Sequence, residues 1–104
     1  MLLATISKFL DKLGVPELYG QECRQDKMLY MRLYLVEFSW TWYVCEVEIR
    51  EDDILFWGFV EGDFGEWGYF TLSELASAGL EIVIDPDFVP MTFSEAKDIY
   101  NLDY

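Results

Sequence analysis

Histidine is absent from this chain of 104 residues, and cysteine is rare, with two residues. Because histidine is the commonest general base and transition-metal ligand, its absence excludes Ser-His, Cys-His and His-metal active sites. Cys23 and Cys45 are too few for a disulfide-built scaffold or a zinc site, so we expect both to be buried or partly buried free thiols. The sequence therefore predicts no enzyme and no cofactor.

Long apolar runs are also missing. None reaches the roughly 18–20 residues that a membrane-spanning helix needs. The first 13 residues lack a basic region ahead of their apolar stretch and carry Lys8, Asp11 and Lys12 within it, which is not typical of a signal peptide. We therefore expect a cytoplasmic protein that does not associate with membranes.

Positively charged residues are also scarce. Seven Lys and Arg stand against twenty Asp and Glu, for a formal net charge of −13. Apolar residues nevertheless make up 53% and aromatic residues 18%, which is unlike a disordered acidic chain. A chain of this length buries roughly two thirds of its unfolded surface. The composition predicts a single domain, residues 1–104, with a packed core inside a charged shell.

The negative charge is concentrated in the second half of the chain. Residues 1–45 hold five acids and five bases, whereas residues 46–104 hold fifteen acids and two bases and so carry the whole −13. The densest segment, residues 46–66, contains eight acids against the single base Arg50. These eight are the partner-binding residues that the sequence predicts: Glu46, Glu48, Glu51, Asp52, Asp53, Glu61, Asp63 and Glu66.

This charge distribution indicates the chemistry of the partner. A field of this sign repels DNA, RNA and anionic membranes, and it attracts the basic groove that nucleic-acid-binding proteins present. The alternative is that the acidic surface serves only solubility, while its self-repulsion lowers the stability of the fold.

Apolar spacing predicts an amphipathic helix over residues 1–13, which Gly14 and Pro16 end. This helix either packs on the core or presents its apolar face to a partner, or to a second copy in a homodimer. It can also be an added element of the domain. A short helical turn is expected over residues 16–22, with Pro16 at its first position.

Residue alternation predicts strands over residues 28–38, 40–50, 54–61, 67–70 and 80–84. In the second of these, Val47 is expected on the same face as Tyr43 and Cys45. Capping boxes at residues 71–74 and 92–95 open a helix near residues 72–78 and a C-terminal helix toward Tyr100. We therefore expect an α+β fold with a largely antiparallel sheet of four to five strands.

Two other patterns have more than one interpretation. Gly58 and the stretch 61–65 lack the lysine and the spacing of a phosphate-binding loop, so these glycines are expected in turns. The carboxylates at 51–53, 85 and 87 suit Mg²⁺ or Ca²⁺ chemically, but the twelve-residue calcium-loop spacing is absent. A glycosidase pair of carboxylates needs a cleft that so short a chain rarely builds.

The tryptophans provide an alternative interface. The chain has nineteen aromatic residues, more than a core of this size needs, so some are expected at the surface. Stacking on single-stranded nucleic acid requires basic neighbours, whereas the neighbours here are acidic. Exposed aromatic side chains ringed by acids are typical of a protein-binding hot spot, unless all of them lie in the core. The predicted hydrophobic interface consists of Trp40, Trp42, Trp57 and Trp67.

Four segments over residues 16–95 together resemble a known family. They are Pro16-x-Leu18-Tyr19-x-Gln21-Glu22, Trp40-Thr41-Trp42-Tyr43-Val44-x-Glu46, Phe56-x-Gly58-x-Val60-x-Gly62 and Glu66-x-Gly68-Tyr69-Phe70-x-Leu72-x-Glu74-Leu75. In this order they are similar to domain-of-unknown-function family 2958, which plasmids, integrative elements and phages carry. Where that family continues with an I-E-R-D stretch, this chain reads Ile82-Val83-Ile84-Asp85, and its first 13 residues are extra. The resemblance implies a mobile-element setting and brings no known activity or catalytic residue.

Charge and resemblance together predict a non-catalytic acidic binding protein of a mobile genetic element. We expect it to inhibit a host nucleic-acid-binding defence complex, as an anti-CRISPR protein does, by occupying a basic groove. The partner is then a basic protein or nucleoprotein complex of the host, and nucleic acid is not bound directly. The alternative is an accessory protein of plasmid maintenance or transfer that binds a protein through the aromatic face and the N-terminal helix.

Overall fold

A computed structural model describes residues 2–77 and 81–104 of the chain. It confirms the predicted α+β fold, with a five-stranded antiparallel sheet in the order β5-β4-β3-β2-β6 and a two-stranded sheet of β1 and β7. The elements are α1 (Leu2–Leu13), β1 (Met28–Leu29), β2 (Met31–Leu35), β3 (Thr41–Ile49), β4 (Ile54–Glu61), β5 (Gly65–Thr71), α2 (Leu72–Ser77), β6 (Ile82–Ile84), β7 (Met91–Thr92) and α3 (Phe93–Tyr100).

The five-stranded sheet separates two apolar clusters. On one side, the α1 face, buried side chains of α1 and α2 pack against the sheet; they include Ile6, Leu10 and Leu75. On the other side, the α3 face, α3 and the two-stranded sheet cover a second cluster that includes Phe59 and Ala96. Because both faces of the central strands are covered, they read as nearly continuous apolar runs, and burying both faces stabilises the sheet.

A β-bulge in β3 changes which side chains face which cluster. The register with β4 shifts between Val44 and Glu46, so the two-residue alternation is broken there. Val44 and Val47 both pack on the α1 face, while Cys45 packs on the α3 face. The predicted placement of Val47 beside Cys45 was therefore wrong, because one extra residue reverses the facing of everything after it.

The helical turn predicted over residues 16–22 does not begin at Pro16. Residues 16–18 instead run beside the end of β3: the Val47 N–H donates to the Pro16 carbonyl, and the Leu18 N–H donates to the Val47 carbonyl, each at 3.0 Å. Residues 18–23 form turns and no helix. β2 pairs with β3 only as far as Val44, so residues 16–18 fill the edge that β2 leaves open. The chain then continues into β1, whose pairing with β7 had no signal in the sequence.

Helix termini follow the predicted local chemistry. Thr92 and Glu95 form the capping box of α3, and Thr71 and Glu74 exchange the same two hydrogen bonds at α2. Asn101 ends α3 in the left-handed conformation. The predicted continuation of α2 through residue 78 and the start of the predicted strand at residue 80 lie outside the described residues.

Candidate functional site

The predicted acidic segment is divided between two ends of the sheet. Glu48, Glu51, Asp52 and Asp53 surround the β3–β4 turn, which we call the β3–β4 end. Glu61, Asp63 and Glu66 surround the β4–β5 turn at the opposite end. The eight residues of β4 separate the two groups by about 24 Å at the usual strand rise. A sequence cluster of carboxylates is therefore two surface clusters.

Glu46 belongs to neither end. It is 4% exposed, and its two carboxylate oxygens accept the backbone N–H groups of Tyr19 at 2.9 Å and Gln21 at 2.8 Å. The bulge places Glu46 beside residues 19–21, and a buried carboxylate is stable only when it is hydrogen-bonded in this way. The predicted role of Glu46 as a surface contact is thus corrected: it anchors a loop.

Gln21 completes this anchor. It is buried, and its side-chain amide donates to the carbonyls of Met28 and Cys45, at 2.9 and 3.0 Å, and accepts the Met28 N–H. Among the described residues, no buried side-chain polar atom lacks a hydrogen-bond partner. The network joins the loop before β1 to the bulge of β3, and so fixes where Tyr19 stands.

Asp53 is the second predicted contact with a structural role. Its carboxylate accepts the Ser73 hydroxyl at 2.6 Å and the N–H groups of Ser73 and Ile54, at 3.0 and 2.8 Å. These bonds tie the β3–β4 turn to the first turn of α2. The hydrogen bond from the Ser73 hydroxyl is the largest cause that lowers the pKa of Asp53 below its ordinary value.

The lowered pKa of Asp53 predicts how its stabilising effect depends on pH. A carboxyl whose folded-state pKa lies below the ordinary 3.8 stabilises the fold fully above that value, and this contribution is lost as the pH falls through the folded-state pKa. We expect Asp53→Asn to lower the free energy of unfolding at neutral pH, and the deficit to shrink below pH 3.8. Urea unfolding at several pH values measures this. The control is Asp52→Asn, which removes the same charge from an exposed neighbour; an equal pH dependence in both variants would contradict the assignment.

Three carboxylates at the β3–β4 end are accessible to a partner. Glu51 and Asp52 are exposed and have no hydrogen bond or ion pair within the described chain. Glu48 is exposed and accepts from the Arg50 guanidinium at 2.9 Å, in a pair whose side chains are 51% and 49% accessible. At the opposite end Asp63 and Glu66 are exposed, whereas half-buried Glu61 accepts the Asp103 N–H.

A groove lies beside the β3–β4 end, between the second half of α1, residues 15–19 and the last residues of β3. Its volume is about 370 Å³. Three carboxylates line it, Asp11, Glu17 and Glu48, and Tyr19 forms a wall. The apolar lining comes from Leu10, Val15, Leu18, Val47 and Ile49.

Sequence reasoning missed Asp11 and Glu17 because they belong to the half of the chain whose charges balance. They approach Glu48 only because residues 16–18 pair with the end of β3. No spacing in the sequence signals that pairing, since it joins positions about thirty apart through an edge that β2 leaves open. A groove of this kind becomes visible only in the folded chain.

The acidic surface is largely uncompensated within the chain. Of the twenty carboxylates, fifteen are exposed, four are half-buried and Glu46 is buried. The described residues form two ion pairs, Arg50 with Glu48 and Arg32 with Asp85. Eighteen carboxylates therefore have no cationic partner in this part of the chain, so the repulsion between them is not relieved internally.

The four tryptophans do not form one interface. Trp42 is 8% exposed on the α1 face, whereas Trp57 and Trp67 are half-buried on the α3 face, with their rings stacked at 5.2 Å. Trp40 is 39% exposed, and its ring lies against Gly62. The predicted group is thus divided. Trp42 lies in the core, Trp57 and Trp67 pack half-buried against the second cluster, and Trp40 lies at the surface.

Four of the exposed large apolar side chains lie at the end of the sheet that holds the β4–β5 turn. Trp40 is joined there by Phe64, which is 76% exposed, and by Val36 and Phe38 in the β2–β3 loop, each 54% exposed. The α1 helix, by contrast, packs Ile6 and Leu10 into the core, so much of its apolar face is covered, while Phe9 is 39% exposed.

The other candidates from the sequence have structural explanations. Asp85 pairs with Arg32 at 2.9 Å, and within the described residues no group of three Asp, Glu or Cys is placed to hold a metal ion. Burial alone lowers the pKa of Arg32, but hydrogen bonds with Tyr43 and Asp85 outweigh it and raise the pKa.

The two cysteines differ. Burial raises the pKa of Cys45, which stays a neutral thiol, whereas Cys23 is exposed, contrary to the prediction that both are at least partly buried.

Comparison with known protein families, curated proteins and solved structures finds no match to this chain. The resemblance to domain-of-unknown-function family 2958 accordingly stays a prediction. Within residues 2–77 and 81–104, none of the helices has the length and apolar character that crossing a membrane requires.

Proposed function

We propose that this protein is a non-catalytic acidic binding protein that occupies the basic groove of a nucleic-acid-binding protein or complex. The observation that supports this most directly is the set of eighteen carboxylates that have no cationic partner among the described residues. Their repulsion lowers the stability of the free protein, and it is relieved when a basic surface binds.

The biological setting that we propose is a mobile genetic element. Taken with the resemblance to a family of mobile elements, the charge favours an inhibitor of a host defence complex, of which an anti-CRISPR protein is one kind. Such an inhibitor acts in the cytoplasm and competes with nucleic acid for the same basic groove.

The experiment combines capture from host lysate with a charge reversal. Tagged protein is expected to retain a nucleic-acid-binding partner at about 50 mM salt and to release most of it at about 200 mM, because binding exchanges counterions as DNA binding does. The double variant Glu51→Lys, Asp52→Lys is expected to weaken capture roughly tenfold, since both side chains are exposed and have no partner in the described part of the chain. Asp53 is left intact because it holds α2.

The matched control is Glu81→Lys, Asp98→Lys, which changes the net charge equally at two exposed positions outside residues 46–66. Equal loss in both double variants would indicate a general charge effect and would contradict a specific acidic contact. Capture that survives high salt in every variant would overturn the proposal. Addition of competing nucleic acid is expected to release the partner.

A second candidate function rests on the exposed apolar residues near the β4–β5 turn. An accessory protein of plasmid maintenance or transfer would bind its partner there, through Trp40 and Phe64. This candidate predicts capture that is insensitive to salt and is lost in Trp40→Ala, Phe64→Ala. Ile6 and Leu10 of α1 are buried, which leaves Phe9, 39% exposed, for a contact through that helix.

A further inference from the structure

We propose that the groove between α1, residues 15–19 and the end of β3 receives a lysine or arginine side chain from the partner's basic surface. This inference rests on the proposed function, because it names how part of the basic partner is held. The groove has the two features that such a side chain needs, an apolar lining for its aliphatic stem and carboxylates for its charged end.

The apolar part of the groove is open. Ile49 is 53% exposed and Tyr19 is 63% exposed, so a stem of methylene groups lying between them would remove apolar surface from water. The face of a tyrosine ring also attracts a guanidinium or ammonium group. The groove volume of about 370 Å³ lies within the range of small-ligand sites.

The carboxylates of the groove select a cation. Asp11 and Glu17 are exposed and have no cationic partner among the described residues. Glu48 already accepts from one guanidinium, that of Arg50, in a half-exposed pair that a second cation can join or replace. Asp11 lies in the last turn of α1, where the helix dipole disfavours a negative charge, so it does not serve the stability of the helix.

The groove is preformed. The Tyr19 wall has a φ of 71°, which is uncommon for a residue other than glycine, and the buried carboxylate of Glu46 holds its N–H at 2.9 Å. The Tyr19 hydroxyl also interacts with Tyr69, and this interaction is the largest cause that raises the pKa of Tyr69. A wall whose backbone is held in this way does not need to be ordered when the ligand binds.

The test is a titration of ¹⁵N-labelled protein with the peptide acetyl-Gly-Arg-Gly-amide, followed by amide chemical shifts. The control peptide replaces arginine by citrulline, which keeps the shape and removes the charge. We expect the arginine peptide to shift amides of residues 15–19 and 47–49, and the citrulline peptide to bind roughly tenfold more weakly. Shifts spread evenly over all acidic surfaces, or equal shifts with citrulline, would overturn the assignment.

Protein variants locate the site. Asp11→Asn, Glu17→Gln is expected to abolish the groove shifts, whereas Glu81→Gln, Asp98→Asn, which removes the same charge elsewhere, is expected to retain them. If the groove variant binds the peptide and captures the basic partner as well as the wild type does, the groove assignment fails and the proposed function stands. If the peptide binds in the groove but Glu51→Lys, Asp52→Lys leaves capture unchanged, the proposed function fails, and what stands is that the groove binds a cationic side chain.

Discussion

Glu46→Gln is expected to lower the free energy of unfolding by about 2–3 kcal/mol, because it replaces a buried carboxylate that accepts two backbone N–H groups. The amide of glutamine offers one oxygen, so one of the N–H groups of Tyr19 and Gln21 would face an N–H₂ donor. Chemical denaturation measures the loss. Amide hydrogen exchange should report faster opening at Tyr19 and Gln21 than in the central strands.

The control for this prediction stands two residues along the same strand. Glu48→Gln removes the same charge from an exposed side chain whose single partner is Arg50, so we expect a change of about 1 kcal/mol at most. Equal effects of the two variants would mean that the buried network does not hold the loop. Because Glu46 positions Tyr19, its variant should also weaken binding of the arginine peptide, although Glu46 does not line the groove.

The second large effect is expected from Gly58→Ala, which should lower the free energy of unfolding by about 3 kcal/mol or more, or prevent folding. An added Cβ would lie 1.8 Å from the Tyr43 carbonyl oxygen and 2.9 Å from its carbon. These are backbone atoms of the neighbouring strand, and they cannot move aside as a flexible side chain does. The bulge of β3 therefore requires glycine at the position opposite.

Gly68 provides the matched control, because it lies directly opposite Gly58 in the register of β4 and β5. A Cβ at Gly68 would have no atom within 4 Å. Gly68→Ala is expected to change stability by less than about 1 kcal/mol, in the stabilising direction, because alanine restricts the unfolded chain. Urea denaturation of the two variants compares them, and similar losses in both would contradict the backbone clash.

The prediction that the glycines lie in turns is wrong for Gly58, which is in the middle of β4. Gly62 does lie in the β4–β5 turn. Turn glycines and close-contact glycines have the same sequence signature, a missing side chain. What separates them is the backbone of another strand, which single-strand patterns do not contain.

The division of the acidic segment changes what the proposed contact looks like. A single acidic patch over residues 46–66 would present all eight carboxylates to one groove. In the structure, Glu46 and Asp53 instead accept hydrogen bonds that stabilise the fold. Asp11 and Glu17 lie with Glu48 in the groove beside the β3–β4 end. The proposed contact is therefore smaller than the sequence suggests, but it has an apolar floor that a purely electrostatic mimic lacks.

The sequence by itself determined those features that depend on neighbours along the chain. The strand over residues 54–61, both capping boxes and the α+β class follow from alternation, helical spacing and side-chain bonds that reach three residues. The excess of carboxylates is likewise a property of composition, since so few bases leave most acids unpaired wherever the chain places them.

The tertiary structure alone decided which of those residues are accessible and which meet. The one-residue bulge between Val44 and Glu46 buries the Glu46 carboxylate, which the alternation of the strand does not distinguish from the exposed Glu48. Pairing between Glu17 and Val47 builds the groove, and packing on both faces of the sheet separates Trp42 from Trp57. The physical reason is that local patterns report the period of a strand or helix, whereas burial and contact depend on which distant backbone covers each face.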